Sequence, residues 1–423
     1  MAQLTDDCFA FGGNLTKVDE ALSQLQSILT PIVNSEKVSL ERALNRILAE
    51  NVVASKNVPA DNNSAVDGFS VYFDDVKLGT ETRLPVSGRA IAGIPLDRPQ
   101  NRGEAIQILT GAVMPNGPDN MRPDTVVMKE DCAIDNGIVS FPAGILRGSN
   151  CRLMGEDVKL GQPILKEGCW LRPQEIGLAA SIGRSQLLVM RQLKVAIFST
   201  GNEVLEPGSQ LFPGAIYDSN RFTLMHQLKS AGCRVKDLGI LLDDPNILRN
   251  ALASAADDYD LIITSGGVST GDEDHVRKVV EKEGSLYFWR LAIKPGRPVA
   301  LGQLKDTPFI GLPGNPVAAM ITFMQIARPI ILKLAGANDP VRKSFLVQSG
   351  FDYKKKLDRR EYVRVQIKTD EYGKLVAEKY ERDGAGILSS MVFADGLVEL
   401  SEDILCIEKG DIVNYLPFSE LGL

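Results

Sequence analysis

Histidine is nearly absent from this chain. With only two present, His226 and His275, a zinc site of histidine and cysteine ligands is not expected. Cysteine is scarce too: Cys8, Cys132, Cys151, Cys169, Cys233 and Cys406 form no C-x-x-C and show no pairing rhythm, so they read as free thiols. There is no basic excess. A formal charge of −7 argues against a general nucleic-acid binder, which would carry a net basic face. It leaves a small anionic ligand open, because charges beyond about 8 to 10 Å are screened and a few local Lys or Arg side chains decide. No apolar run of membrane-spanning length is visible, and the start "MAQLTDDCFAFGG" places acids where a signal peptide needs a basic region. A cytoplasmic protein is expected, with no membrane or nucleic-acid partner. Internal repeats and low-complexity tracts are lacking as well.

What is present is an ordinary globular composition, 44% apolar and 24% charged over 423 residues, long enough for two to four domains. "KVDEALSQLQSIL" and "SLERALNRILAENV" carry apolar residues at three- and four-residue steps and read as helices. They open a helical and mixed linking domain, 1–52 with 149–190. Short β-like runs broken by Pro, Gly and Asn fill 53–148, a β-rich lobe. Between 191 and 336 strand, loop and helix alternate. "KVAIFST" and "DLIITS" have the unbroken apolarity of strands buried on both faces, and Pro245 and Gly232 sit where helices begin and end. The expectation is a three-layer α/β domain on a parallel-type sheet. Residues 337–423 read as a small closed or sandwiched β domain.

In a parallel sheet, ligands bind beyond the carboxyl ends of the strands. The loops at that rim are "STGNEV", "LDDP", "SGGVSTGDED" and "LPGNP". Gly266, Gly267 and Gly271 would let backbone N–H groups approach a phosphate, with Ser265, Ser269 and Thr270 adding hydroxyls. Asp272 and Asp274 are hard-oxygen ligands of the kind that hold Mg²⁺ beside phosphate. A glycine turn with an acidic helix cap explains the same residues; the loop is neither a Walker loop nor a dinucleotide fingerprint. Glu203, Asp218 and Asp243 add carboxylates to this rim, while Asp244, before Pro245, reads as a helix cap. Several acids from separate loops on one face would repel unless a cation or substrate lies among them. Arg290, Lys294 and Arg297 supply positive charge on or just after a strand, and Lys294, before a turn, is placed to reach a phosphate or oxyanion. In the β lobe, Asp67 with Gly68, and Thr110, are turn residues when taken alone.

Together, "NNSAVDGFSV", "ILTGAVMP", "GEDV", "FSTGNEV", "IYDSNR", "GILLDDP", "SGGVSTGDED", "AIKPGRPVALG", "GLPGNPVAA" and "GAGILSSMVFADGLVEL" resemble the molybdopterin molybdenumtransferase family, the bacterial MoeA proteins and the E domain of gephyrin, in the family's order and across nearly the whole chain. The resemblance implies an elongated, multi-lobed subunit that inserts molybdate into adenylylated molybdopterin with a divalent cation such as Mg²⁺, releasing AMP and molybdenum cofactor. It implies a homodimer with a shared active site, Asp67 and Thr110 serving the partner's side of the cleft. It also implies contact with the molybdopterin adenylyltransferase and acceptor molybdoenzymes. Matched residue by residue, Asp157, Glu203, Asp243 and Asp274 stand for the family's functional acids, with Glu203, Asp243 and Asp274 near the metal. Arg290 and Lys294 stand for its basic pair. Ser265, Gly266, Gly267, Ser269, Gly271, Pro313, Gly314 and Pro316 fall to substrate binding. The chain departs from the pattern at Val66, Arg290 and Ala385, where methionine, lysine and serine are common, and in a longer loop around 116–124. A related adenylyltransferase and an enzyme-dead binding scaffold are the rival readings.

Overall fold

The computed structural model describes residues 15–118, 121–267, 275–296, 298–338 and 343–422, with the backbone alone at 287–290 and 298. The chain divides into two compact units, one made of Asn51–Lys166 with Pro173–Gln186, the other of Glu167–Arg172, Leu187 onward and the segment before Asn51.

The first unit is built on a six-stranded mixed sheet. Its order is Thr125–Met128, Gly68–Val71, Ala105–Ile108, Thr82–Ala90, Ile138–Phe141, Ala133–Asp135. Phe69, Val71, Val127, Val139 and Phe141 fill its core. Gly68 opens a strand that is buried throughout, and a Cβ there would lie 1.9 Å from the carbonyl oxygen of Val127. Glycine is therefore required by the neighbouring strand's backbone, and Asp67 is fixed at the entry to that strand.

The second unit begins with helix α1 (Val18–Ile28), whose Val18, Ala21, Leu22 and Leu25 are buried. The expected second helix does not form. Ser35–Ser39 is a strand, Leu40–Arg42 a single 3₁₀ turn, and Asn45 takes φ +58°. Ile47 and Leu48 then bridge to Trp170 and Val189. Strand contacts distant in sequence outweigh a local helical period here.

Next comes the α/β domain: β1 (Lys194–Thr200), α2 (Asn220–Ser230), β2 (Arg234–Leu241), α3 (Pro245–Asp258), β3 (Leu261–Ser265), α4 (His275–Glu283), β4 (Gly284–Arg290), β5 (Pro298–Leu304), β6 (Thr307–Leu312) and α5 (Pro316–Thr322). The sheet order is β2-β1-β3-β6-β5-β4. β2, β1, β3 and β6 are mutually parallel, while β5 and β4 are antiparallel additions at one edge. Side chains alternate across the sheet. Val195 and Ile197 of β1 pack with Leu224 and Leu228 of α2 and Ile321 of α5, whereas Ala196 and Phe198 pack with Leu248 and Leu252 of α3 and with Val276 and Val280 of α4. These are the three layers, and double burial explains the unbroken apolarity of "KVAIFST".

Among the described residues one helix does reach membrane-spanning length. Pro316–Leu334 runs 19 residues at a mean hydropathy of 1.5, through α5, one π turn and α6 (Arg328–Leu334). Its most apolar window is 78% buried inside the protein, the packing of a core helix.

The chain ends in a small barrel of β7 (Phe345–Ser349), β8 (Arg360–Thr369), β9 (Leu375–Lys379), β10 (Gly396–Leu400) and β11 (Ile412–Pro417). It closes because β8 is long enough to pair twice, its first half with β10 and its second with β9. The two-residue strand Ile293–Lys294 adds to β8 in parallel, Lys294 opposite Glu361. That pairing brings the α/β domain and the barrel to one place.

Candidate functional site

β3 and β6 end side by side, and the loops beyond them form one wall of a cavity of about 510 Å³. After β3 the chain turns through Gly266 and Gly267, at φ +83° and +67°, a region closed to most side chains. A Cβ on Gly267 would come within 2.6 Å of Thr200 and 2.9 Å of Val276. The Ser265 hydroxyl donates to the Pro313 carbonyl at 2.9 Å and accepts from the Asn220 amide at 2.8 Å. That amide also reaches the Gly314 carbonyl at 2.6 Å. Asn220, the first residue of α2, thus locks "SGG" to "LPGNP". In the sequence Asn220 stands within "IYDSNR" with no local feature that marks this role.

The opposite wall is charged and comes from the barrel. Glu361 is 1% exposed. Its Oε1 accepts from Arg359 Nε at 3.0 Å; its Oε2 accepts from Lys294 Nζ at 3.1 Å and Tyr353 Oη at 2.8 Å. Burial opposes its charge, yet the hydrogen bonds from Arg359, Tyr353 and Lys294 outweigh burial and hold the carboxyl below the usual glutamate range. For Lys294 burial works against the ammonium, and the bonds to Tyr353 and Glu361 overcome it, so its pKa rises. Lys294 Nζ meets the Tyr353 ring at its hydroxyl edge, donating to Oη at 3.2 Å, while Lys379 Nζ lies 5.9 Å from the ring centroid in a cation–π contact.

Arg364 also faces the cavity. It is 8% exposed, and its guanidinium donates to Ser390 Oγ at 3.1 Å and the Gly384 carbonyl at 3.3 Å. Desolvation lowers its pKa. Lys379 pairs with Asp383 at 3.0 Å. The backbone of Ala385 accepts from Val317 N at the start of α5, which docks the "GAG" segment against "LPGNP". The cavity therefore sets Lys294, Arg359, Arg364 and Lys379 against Glu361 and Asp383, a net positive enclosure beside a glycine-rich backbone. Such an arrangement is suited to a polyanion.

Of the residues singled out in the sequence, Gly266, Gly267, Lys294, Pro313 and Gly314 meet in this cavity, and Ser265 braces it. Pro316 begins α5 behind it. Glu203 is exposed on the loop after β1. Asp243 lies beyond β2, its Oδ1 3.8 Å from His275 Nδ1. Asp244 caps α3, accepting from Asn246 N and Ile247 N. Asp218 is committed to Arg221. Asp274, Asp272, Ser269, Thr270, Gly271 and Arg297 fall outside the described residues, and Arg290 is described only as the last backbone position of β4. In the first unit, Asp67 Oδ1 accepts from Thr110 Oγ1 at 2.7 Å and Thr110 N at 2.8 Å. The Thr110 hydroxyl and then its amide keep that carboxyl below the ordinary aspartate value. Asp157 is exposed in the same unit. Among the described residues no three His, Cys, Asp or Glu side chains cluster as a metal site. Glu203 and Asp243 alone do not make a protein-only cage, though Mg²⁺ is commonly held by one or two carboxylates together with substrate phosphates.

Sequence reasoning passed over Tyr353, Arg359, Glu361, Arg364 and Lys379. For Glu361 and Arg364 the available signal was "REYVRVQIK", whose charges interrupt the apolar positions of a barrel strand.

Comparison with known proteins agrees with this architecture. Residues 16–183 match the MoeA N-terminal region (domain I and II), 196–333 the probable molybdopterin binding domain, and 347–418 the MoeA C-terminal region (domain IV). The molybdopterin molybdenumtransferase of Haemophilus influenzae is 36% identical over 96% of this chain and 99% of its own length. The protein of that name from Nostoc is 35% identical over 72% of this chain and 70% of its own. A solved molybdopterin biosynthesis MoeA protein from Pyrococcus horikoshii superposes with a TM-score of 0.78 at 26% identity, covering 96% of this chain and 100% of that one. With three consecutive regions matched and a relative similar from end to end, the chain belongs to the molybdopterin molybdenumtransferase family.

Proposed function

We propose that this transferase inserts molybdate into adenylylated molybdopterin and releases AMP with the help of a divalent cation. The supporting observation is the cavity itself: about 510 Å³ is the size of a small-molecule site, and its glycine backbone and excess of cations suit a substrate joined through a pyrophosphate. Lys294, on a short strand fixed by Glu361, is placed to stabilise charge as the phosphoanhydride opens. Asp243 and Glu203, with Asp274, are the carboxylates we assign to the cation, which would supply Lewis-acid stabilisation of the phosphate oxygens. Arg290 and backbone donors we assign to molybdate, the metal that is cargo here. Asp67, already set by Thr110, and exposed Asp157 complete the acidic set. A homodimer in which Asp67 and Thr110 serve the neighbouring copy's site, in the cytoplasm, is the assembly we propose.

Purified protein given adenylylated molybdopterin is expected to release AMP only when molybdate is supplied. Lys294→Ala should cut kcat/KM by about a hundredfold, the size of loss seen when one pre-aimed charge donor is removed. ATP consumption without molybdate dependence, or near-normal turnover in Lys294→Ala, would sink this reading.

A further inference from the structure

A lysine ammonium rides on a flexible four-carbon stem and has no fixed aim unless something anchors it. Here Lys294 lies in register opposite Glu361, so both side chains leave the paired strands on the same face, and Nζ meets Oε2 at 3.1 Å. The two partners differ sharply in exposure, Lys294 at 46% and Glu361 at 1%. The lysine is free to move into the cavity; the carboxylate is not. A carboxylate buried to that degree must stay paired, because an uncompensated buried charge is strongly destabilising.

Its two oxygens are served by different donors. Oε1 takes Arg359 through Nε and Nη2. Oε2 takes Lys294 and Tyr353. Arg359 is itself held, since the buried ammonium of Lys355 donates to its carbonyl at 2.7 Å. Lys294 can therefore leave while Arg359 and Tyr353 keep Glu361 satisfied. The other charged groups lining the cavity around the ammonium are Arg359, Arg364, Lys379 and Asp383. Lys379 and Arg364 are repulsive, so Glu361 is the carboxylate that keeps Lys294 at the wall.

We propose that Glu361 is a positioning residue for the transfer reaction: its Oε2 holds the Lys294 ammonium at the cavity wall in the free enzyme and hands it to the phosphoanhydride of the incoming substrate, while Arg359 keeps Oε1 paired. This rests on reading the cavity as the molybdate-insertion site. No bond is made or broken at Glu361; an ammonium exchanges one anionic partner for another.

The test combines kinetics with a titration that does not depend on turnover. Lys294 is labelled by acetic anhydride across a pH series in the full-length protein, read by peptide mass spectrometry, and the kcat/KM profile for molybdate-dependent AMP release is measured beside it. In Glu361→Gln the labelling midpoint of Lys294 is expected to fall to lower pH, and the alkaline limb of kcat/KM to move with it, because an opposite charge favours the protonated amine. At neutral pH kcat/KM should drop by about tenfold to a hundredfold, the range for a misplaced reacting group. Glu361→Asp should recover part of the loss. Tyr353→Phe keeps the ring and the ion pair, so a smaller shift in the same direction is expected there even if Glu361→Gln does not fold. An unchanged Lys294 midpoint and pH profile in the folded variants overturns the proposal. If the wild type releases no AMP in response to molybdate, the functional reading fails instead, and the labelling still reports whether Glu361 holds Lys294.

Discussion

At the scale of single residues, the site depends on where a side chain is forbidden as much as on where one is supplied. Gly267 shows this. It takes φ +67°, and its missing Cβ faces Thr200 and Val276 at distances no real Cβ tolerates. Gly267→Ala must therefore both strain the backbone and push two buried neighbours, at a cost of about 1 to 3 kcal/mol. Urea unfolding should show a lower midpoint for this variant, and KM for the proposed adenylylated substrate should rise as the loop moves off its hydrogen bond to Leu312. A variant with wild-type stability and KM would show that the loop is not held as described. The glycines were readable from the sequence because their spacing at a strand end is a local signal. Glu361 was not. Nothing in "REYVRVQIK" tells an outward charge from one that is 1% exposed, since that depends on barrel closure and on a strand that arrives from Ile293–Lys294.

At the scale of elements, the features settled by adjacent residues were legible and those settled by distant partners were not. The start of α3 belongs to the first kind: Asp244 accepts from two backbone amides, with Pro245 in the first turn. Asp244→Ala should destabilise the protein by about 1 kcal/mol, visible as a lower denaturation midpoint, and catalysis should be spared unless Asp243 beside it is displaced. If catalysis falls while stability holds, Asp244 has a role at the site beyond the cap. The segment after Ser39 belongs to the second kind, since its helical spacing is real but its backbone bridges to Trp170 and Val189. The β4–β5 edge does too. Both strands are apolar enough to read as parallel members, yet β5 follows Lys294–Gly296 and returns antiparallel against β6.

At the scale of the whole molecule, a net charge of −7 coexists with a cavity whose lining is cationic. The resolution lies in distance: exposed acids farther off than a Debye length of about 8 to 10 Å contribute little at physiological salt, whereas Lys294, Arg359, Arg364 and Lys379 act at contact range. Most of that charge is brought by the C-terminal barrel, while the α/β domain contributes Lys294 and the glycine backbone, so binding strength is a property of their junction. AMP affinity, measured by calorimetry, is accordingly expected to weaken as sodium chloride rises from about 50 to about 500 mM, the behaviour of anion binding at a positive site despite the acidic chain. Lys379→Gln removes one contributor that is already shared with Asp383, and it should lower both the affinity and its salt dependence modestly. Arg364→Gln removes a guanidinium fixed by Ser390 and the Gly384 carbonyl, and should lower both further. AMP affinity that is indifferent to salt in the wild type would mean that stacking and backbone contacts, rather than the barrel's cations, carry the proposed nucleotide binding.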